Sequence, residues 1–506
     1  MLEKYQPSNV MSFFEIISSI PHGSGNEKAL SDYLCGFAKD RGLWVKQDEH
    51  FNLIIKKPAS PGKEEAPSVI LQAHIDMVCE KNQDVVHDFT KDPLKLYVDG
   101  DTVKALGTTL GADNGLAAAM LMALMDDNSI IHPPLEILLT TNEEVGLLGA
   151  RDLDVSCLTG RRLINLDSDY EGLFCTGCAG GLKLHAFLPV ERVAVKPEEL
   201  EYYILKVSGL FGGHSGGDIN KERANAIQTL GRALLRLSND IELRLWDIIG
   251  GLMDNAIPRE ARAGIAIDKS QAVLIDEKVK EIEKILKHEY RNSDPGISLS
   301  LSPASEKPEK LFSSRFTGKV LQAILFIPCG IQNMSTDVQD LVETSNNLGV
   351  IITETAERQV EPAGPWYTGE DGQAGTIQQE VVHLTNAIRS SIVSRKYKLR
   401  DQITFLTENL GGRVAYYGDY PAWEFNPDSP LREQLLKTYE EMFGKAPEIF
   451  ATHGGLECGY FAEKIPGIDI VSFGSNISDL HSPQESFSIS SLERTWRFFI
   501  RALGVL

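Results

Sequence analysis

Residues 68–76 read Ser-Val-Ile-Leu-Gln-Ala-His-Ile-Asp, a short apolar run that ends on the polar pair His74 and Asp76. An apolar run without alternation suits a strand buried on both faces, as in a parallel sheet. Three further segments have this form. Residues 135–141 lead into Asn142-Glu143-Glu144, residues 163–166 into Asp167-Ser168-Asp169, and residues 468–473 through a short loop to His481. Helical stretches lie between them. One is capped by Asp113, within Gly111-Ala-Asp113-Asn-Gly115, and carries Leu116, Met120, Leu121 and Leu124 at helical spacing. Another holds Leu431, Leu435, Leu436, Tyr439 and Phe443. Strand alternating with helix predicts an α/β fold with a mostly parallel central sheet.

The middle of the chain has a different pattern. Residues 241–245 and 263–267 alternate apolar and polar, as do residues 384–388, which marks sheets with one wet face. Helices are expected near 227–237, 274–286 and 399–410, and a short strand at 204–207. An α+β domain inserted into the α/β domain accounts for both patterns. The expected ranges are 1–185 for the first part of the α/β domain, 186–420 for the insert and 421–506 for the second part. Within the insert, residues 303–310 and 361–375 are turn-rich loops.

Composition narrows the function classes. A chain of 506 residues exceeds what one core supports, so two domains are expected. Fifty Lys and Arg against 71 Asp and Glu give a net charge of −21, which argues against a nucleic-acid partner. The longest unbroken apolar run, 116–125, is too short to span a bilayer, and residues 1–10 lack a signal-peptide pattern, so a cytoplasmic protein is expected. Seven cysteines form no disulfide framework and fit a reducing compartment. The lone Cys175-Thr-Gly-Cys178 pair is read as small residues in a Gly-rich turn rather than as a redox or zinc motif.

Ligands of open parallel sheets bind beyond the carboxyl ends of the strands. There this sequence gathers two His and at least four carboxylates. Carboxylates 4 Å apart repel by about 4 kcal/mol per pair at an effective dielectric near 20. Either protons or cations must offset that, and the histidines favour cations: imidazole with carboxylate suits zinc, with Mn and Co as substitutes. Two divalent ions, three carboxylates and a hydroxide sum to zero charge. Spacing suggests roles. Asp76 shares a face with His74 and can accept from its far N–H. Glu143 and Glu144 point apart in an extended loop, so that one can bind metal while the other acts as a base. Asp113, at a helix start, suits a bridging carboxylate.

The same motifs resemble the di-zinc metallopeptidases related to carboxypeptidase G, and within them the cytosolic aminoacyl-histidine dipeptidases. The matches are Gln72-Ala-His74-Ile-Asp76-Met-Val, Leu110-Gly-Ala-Asp113-Asn-Gly115, Thr141-Asn-Glu143-Glu144-Val-Gly146, Leu166-Asp167-Ser168, Gly212-Gly-His214-Ser-Gly-Gly217, Asn255-Ala-Ile-Pro-Arg-Glu260, His453-Gly-Gly-Leu-Glu457-Cys-Gly459 and His481-Ser-Pro483. The resemblance implies a zinc-peptidase-like catalytic domain with a lid domain, two zinc ions and a small peptide substrate. It implies that His74 and Asp167 bind one ion, Glu144 and His481 the other, and Asp113 both. Asp76 then supports His74, and Glu143 is the general base. His214 stabilises the reacting carbonyl oxygen, and Arg389, with Asn255, holds the free carboxylate. Lid domains of this group also mediate dimers, so a homodimer is compatible with the resemblance. Glu457 falls in a shared motif, and the resemblance assigns it no role.

Three other readings compete. Gly213-His-Ser215-Gly-Gly217 fits the GxSxG pattern of serine hydrolases, but that pattern needs a strand running straight into a turn and a helix. A metal- or peptide-binding protein on the same fold would not need a spare Glu143. An aminoacylase or related amidase acting on N-acyl amino acids would share every metal residue.

Overall fold

The computed structural model describes residues 1–356 and 379–506, so the turn-rich stretch 361–375 lies outside the described residues. The chain divides into two units. The first comprises Met1–Cys178, Ala422–Thr452 and Leu456–Leu506, and the second Ala179–Pro421 with His453–Gly455.

The first unit is built on an eight-stranded sheet. Its strands are β1 (Trp44–Gln47), β2 (Leu53–Lys57), β3 (Val69–His74), β4 (Leu135–Thr140), β5 (Arg162–Asn165), β6 (Leu173–Cys178), β7 (Glu448–Thr452) and β8 (Asp469–Ser472), in the spatial order β1-β2-β4-β3-β5-β8-β6-β7. The four apolar runs read from the sequence are β3, β4, β5 and β8. Every residue of β3 and β4 is buried, which is why neither alternates. Pairings β3–β4, β3–β5 and β5–β8 are parallel, whereas β1–β2 and β2–β4 at one edge are antiparallel. The register places His74 beside Thr140 and Gln72 beside Asn165. The residues that follow β3, β4 and β5 therefore leave the sheet at the same end.

Helices α1 (Ser8–Ser18), α2 (Lys28–Asp40), α3 (Ala112–Asp126), α4 (Pro430–Phe443), α5 (Cys458–Lys464) and α6 (Ile489–Val505) belong to this unit, as does the short helix Leu148–Asp152. Helix α3 departs from the expected single apolar stripe. Leu116–Met125 are all buried, because α3 packs on both α1 and β3 inside the core. Its leucine and methionine side chains contribute about 1.5–3 kcal/mol each on burial. Asp113 is not the cap expected from the sequence either. The N-cap is Gly111, with φ 67°, and Asp113 and Asn114 have non-helical backbone angles within the first turn.

The second unit is the expected α+β assembly. Its main sheet runs Ser298–Pro303, Leu200–Ser208, Ala261–Asp268, Leu243–Gly250, Val342–Ala356, Gln379–Ser390, Gly180–Pro189 and Arg413–Tyr420 in spatial order, all neighbours antiparallel, with Gly330–Met334 added to Val342–Ala356. Alternate residues such as Leu182, Leu205, Ile265 and Leu384 bury against Leu230, Leu234, Ile324 and Ile403 from its helices. The strand Gly180–Pro189 spans the 185/186 boundary read from the sequence, and its contacts place it whole in this unit. No described helix is long and apolar enough to cross a membrane.

Candidate active site

Strand β3 ends on His74, which is buried. Its Nε2 lies 3.1 Å from Asp113 Oδ1 and 3.6 Å from Asp167 Oδ1. Its Nδ1 lies 3.1 Å from the Asp76 carbonyl oxygen and 3.4 Å from Asp76 Oδ1, so Nδ1 can donate to Asp76 while Nε2 faces the carboxylates of Asp113 and Asp167. On the other side of Asp113, His481 Nε2 is 3.3 Å from Asp113 Oδ2 and 3.1 Å from Glu144 Oε1. Asp113 thus offers one oxygen to each histidine. The potential donor atoms form three overlapping groups, each within 4.8 Å: His74/Asp113/Asp167, Asp113/Glu144/His481 and His74/Glu143/Glu144. Asn142 (φ 51°) and His481 (φ 57°) hold left-handed backbone conformations, which cost non-glycine residues about 1–3 kcal/mol and cluster at functional sites.

Burial and charge together explain the titration behaviour. Burial pushes Glu143 well above the usual carboxylate range, and the nearby charges of Asp167, Glu457 and Glu144 push it the same way. Burial likewise raises Glu144 and Asp167. Asp169 is pushed up to about 8 by burial and by Asp113 and Asp167. Hydrogen bonds to Asp113 and Glu144 raise His481 to about 10. Burial opposes protonation of His74, but Asp167, Asp113 and Asp76 outweigh it and leave His74 well above its ordinary value. Without bound cations, protons and imidazolium supply the positive charge that these carboxylates need.

The other sequence-derived residues lie in the second unit. His214 pairs with Ala256 in a two-residue bridge, and the Ser215 N–H donates to the Asn255 carbonyl at 2.8 Å, so His214 and Asn255 sit on adjoining segments. His214 Nδ1 accepts from the Gly216 and Gly217 amides at 3.3 and 3.1 Å, which puts the ring proton on Nε2. Burial and the Arg389 charge lower its pKa, so the ring is held neutral. Arg389 Nη1 donates to the Tyr420 hydroxyl at 3.2 Å. His453 belongs to this cluster too: its Nε2 is 2.7 Å from Ser345 Oγ, and burial with the Arg389 charge lowers its pKa to about 3.

The family model described as peptidase family M20/M25/M40 matches residues 70–504. This chain belongs to that family. It is 38% identical over 503 residues to the cytosol non-specific dipeptidase of Escherichia coli (strain K12), covering 99% of this chain and 98% of that one. The crystal structure of aminoacylhistidine dipeptidase from Vibrio alginolyticus superposes with a TM-score of 0.90 at 36% identity, covering 100% of this chain and 98% of that one. An aminopeptidase, PepT, from Bacillus cereus shares the fold, with a TM-score of 0.57 at 16% identity over 99% of this chain and 98% of its own.

In this M20 peptidase the donor set fits divalent cations. Each of the groups centred on Asp113 supplies three nitrogen or oxygen donors, as catalytic sites of this type do, and the surplus negative charge is already in place. Several supports escaped the sequence reading. Glu485 is buried, and its carboxylate accepts from the amides of Leu110, Gly111, Ala112 and Asp113 at 2.7–3.3 Å. Asn114 Nδ2 donates to Asp167 Oδ1 at 3.0 Å, and Ser24 Oγ to Asp76 Oδ2 at 2.8 Å. These are single polar residues whose partners are mostly remote in sequence, and no spacing rule marks them.

Two competing motifs find no support in this M20 peptidase. Ser215 is buried, its Oγ has no hydrogen-bond partner among the described residues, and only the three-residue 3-10 helix Ile219–Lys221 follows it closely. That is not a nucleophile elbow. Cys175 and Cys178 are buried on β6 rather than in a turn, with burial pushing their thiols up to about 12 and 11, so they stay protonated.

Proposed function

We propose that the chain is a metal-dependent dipeptidase that hydrolyses the peptide bond of Xaa-His and other dipeptides. The observation that carries this reading is the pair of three-residue donor groups sharing Asp113, with Glu143 beside them. Its M20 membership and the dipeptidases named among its relatives support the substrate class. The name of the Escherichia coli relative supports a cytosolic location.

His74, Asp113 and Asp167 would hold one cation, and Asp113, Glu144 and His481 the second. Zinc is the metal we propose, with Mn or Co as substitutes. When bound, the cations supply Lewis acidity that acidifies a water and polarises the scissile carbonyl. Asp76 fixes the His74 ring through Nδ1. Glu143 carries no ligand duty in this scheme. Its carboxylate takes a proton from the attacking water as that oxygen bonds to the carbonyl carbon, and returns it to the amine nitrogen as the C–N bond breaks. His214, neutral and protonated at Nε2, is a donor suited to a developing oxyanion. Arg389 and Asn255 are proposed for the substrate's free carboxylate.

A substrate panel with chelated and reloaded protein tests the proposal. Chelation should abolish dipeptide hydrolysis, and Zn²⁺, Mn²⁺ or Co²⁺ should restore it. Glu143→Gln should keep its metal and lose about 10²–10⁴-fold in kcat. Preference for N-acetyl amino acids over dipeptides would move the protein to the amidases, and chelator-insensitive turnover would end the metal reading.

A further inference from the structure

Glu457 stands at the N-cap of α5 and is completely buried. A buried carboxyl group is costly unless its hydrogen bonds are met. Its Oε2 accepts from Gln72 Nε2 at 2.5 Å and from Thr140 Oγ at 2.6 Å, while Oε1 has no hydrogen-bond partner among the described residues. Gln72 Oε1 in turn accepts from Asn165 Nδ2 at 2.5 Å. One carboxyl therefore joins side chains from β3, β4 and β5.

The positions of those side chains give the tie its meaning. Along a strand, residues two apart share a face. Gln72 lies two before His74 on β3, and Asn165 ends β5 two residues before Asp167, whose Oδ1 is 3.6 Å from His74 Nε2. Thr140 is the register partner of His74 and starts the path to Glu143 and Glu144. Gln72 and Asn165 are also register partners, so they form a row directly beneath the row of ligands. All four members of the network, Gln72, Thr140, Asn165 and Glu457, are fully buried.

We propose that Glu457 is a positioning residue for the metal centre, its carboxyl oxygen tying the ends of β3, β4 and β5 so that His74, Glu143, Glu144 and Asp167 keep their spacing. The proposal rests on the dipeptidase reading above for what that centre does. A residue that only filled the core would affect stability. A residue that sets ligand spacing affects metal affinity and kcat while leaving KM nearly alone.

Two full-length variants separate these roles. Glu457→Gln keeps an acceptor oxygen for Gln72 and Thr140, and Glu457→Leu removes it at similar size. Losing a partner that orients metal ligands costs about 10–100-fold in metal affinity or activity, and that loss is expected in Glu457→Leu, with KM for a dipeptide little changed. Glu457→Gln should restore both to within a few-fold of wild type. Metal affinity is measured by competition with a chelating dye on metal-free protein. That measurement needs no turnover, so it reads the positioning role even if wild-type protein proves inert to dipeptides, the outcome that defeats the dipeptidase reading instead. A Glu457→Leu protein with a lower melting temperature but wild-type metal affinity and kcat overturns the proposal. So does a Glu457→Gln protein as damaged as Glu457→Leu. If Glu457→Leu does not fold, Thr140→Val removes one of the two donors. It should weaken metal binding with recovery in Thr140→Ser, and wild-type affinity in Thr140→Val overturns the proposal.

Discussion

The Asp76 carboxylate holds the backbone of Glu143: Oδ1 accepts the Glu143 N–H at 2.9 Å, and Oδ2 accepts that of Glu144 at 3.2 Å. The same carboxylate lies 3.4 Å from His74 Nδ1. One side chain thus orients a metal-ligand candidate and the loop that carries the proposed base. Asp76→Ala should lower metal affinity or kcat by about 10–100-fold. Asp76→Asn should recover little, because its amide N–H₂ would face one of the two backbone donors. Equilibrium dialysis with metal, alongside steady-state kinetics, measures both effects, and unchanged values in Asp76→Ala would show that neither contact matters.

Glu485 ties the turn before α3 to the segment that carries His481. Its two oxygens accept four amide N–H groups, from Leu110, Gly111, Ala112 and Asp113. Glu485→Gln turns one acceptor into a donor facing these N–H groups. A loss of about 2–5 kcal/mol is expected, read from denaturant midpoints of the metal-free protein. Asp113 begins at this turn, so metal retention should fall as well. A variant with unchanged stability would mean that the amides find other partners.

The strand ends that carry His74, Glu143 and Asp167 were legible because buried parallel strands leave unbroken apolar runs with polar residues just beyond them. Helix α3 was only partly legible. Its run from Leu116 to Met125 has apolar residues at helical spacing, yet the whole circumference is buried, and periodicity cannot distinguish a stripe from a fully enclosed helix. The partners of the supporting residues were not legible. Glu485 acts through backbone amides more than 370 residues away in sequence, and Glu457 through side chains 317 and 385 residues away. Local pattern carries no trace of such pairs. His453 sat in a quoted motif, but its burial beside Ser345 and Arg389 depends on how the second unit folds.

His453 gives the second unit a defined acid sensitivity. Burial, with Arg389 nearby, lowers its pKa from the ordinary 6.5 to about 3. The unfolded chain therefore takes up a proton near pH 6.5 that the folded protein refuses until about pH 3. Its contribution to stability is intact above pH 6.5 and is lost progressively as pH falls towards 3. By pH 5 this one group should cost about 2 kcal/mol relative to pH 7. His453→Gln can keep a hydrogen bond to Ser345 without the titration. Chemical denaturation at pH 7 and pH 5 should show a smaller acid loss in the variant than in wild type. Equal losses would mean that His453 is not held neutral.

Asp113 is shared by two donor groups, whereas Asp167 belongs to one and Glu144 with His481 to the other. That sharing makes the two aspartates unequal. Removing the charge of Asp167 leaves Asp113, Glu144 and His481 as a complete three-donor group, so Asp167→Asn should retain about one ion per chain against about two in wild type. Removing the charge of Asp113 leaves both groups that share it with two donors and only the group containing Glu143, the proposed base, intact, so Asp113→Asn should retain less metal than Asp167→Asn under the same free-metal concentration. His481→Ala should match Asp167→Asn in stoichiometry, because the group of His74, Asp113 and Asp167 survives it. Elemental analysis after gel filtration in a metal buffer measures all three. Should Asp113→Asn hold as much metal as Asp167→Asn, Asp113 is not the shared ligand, and the pairing of donors argued from the distances at His74 and His481 is wrong.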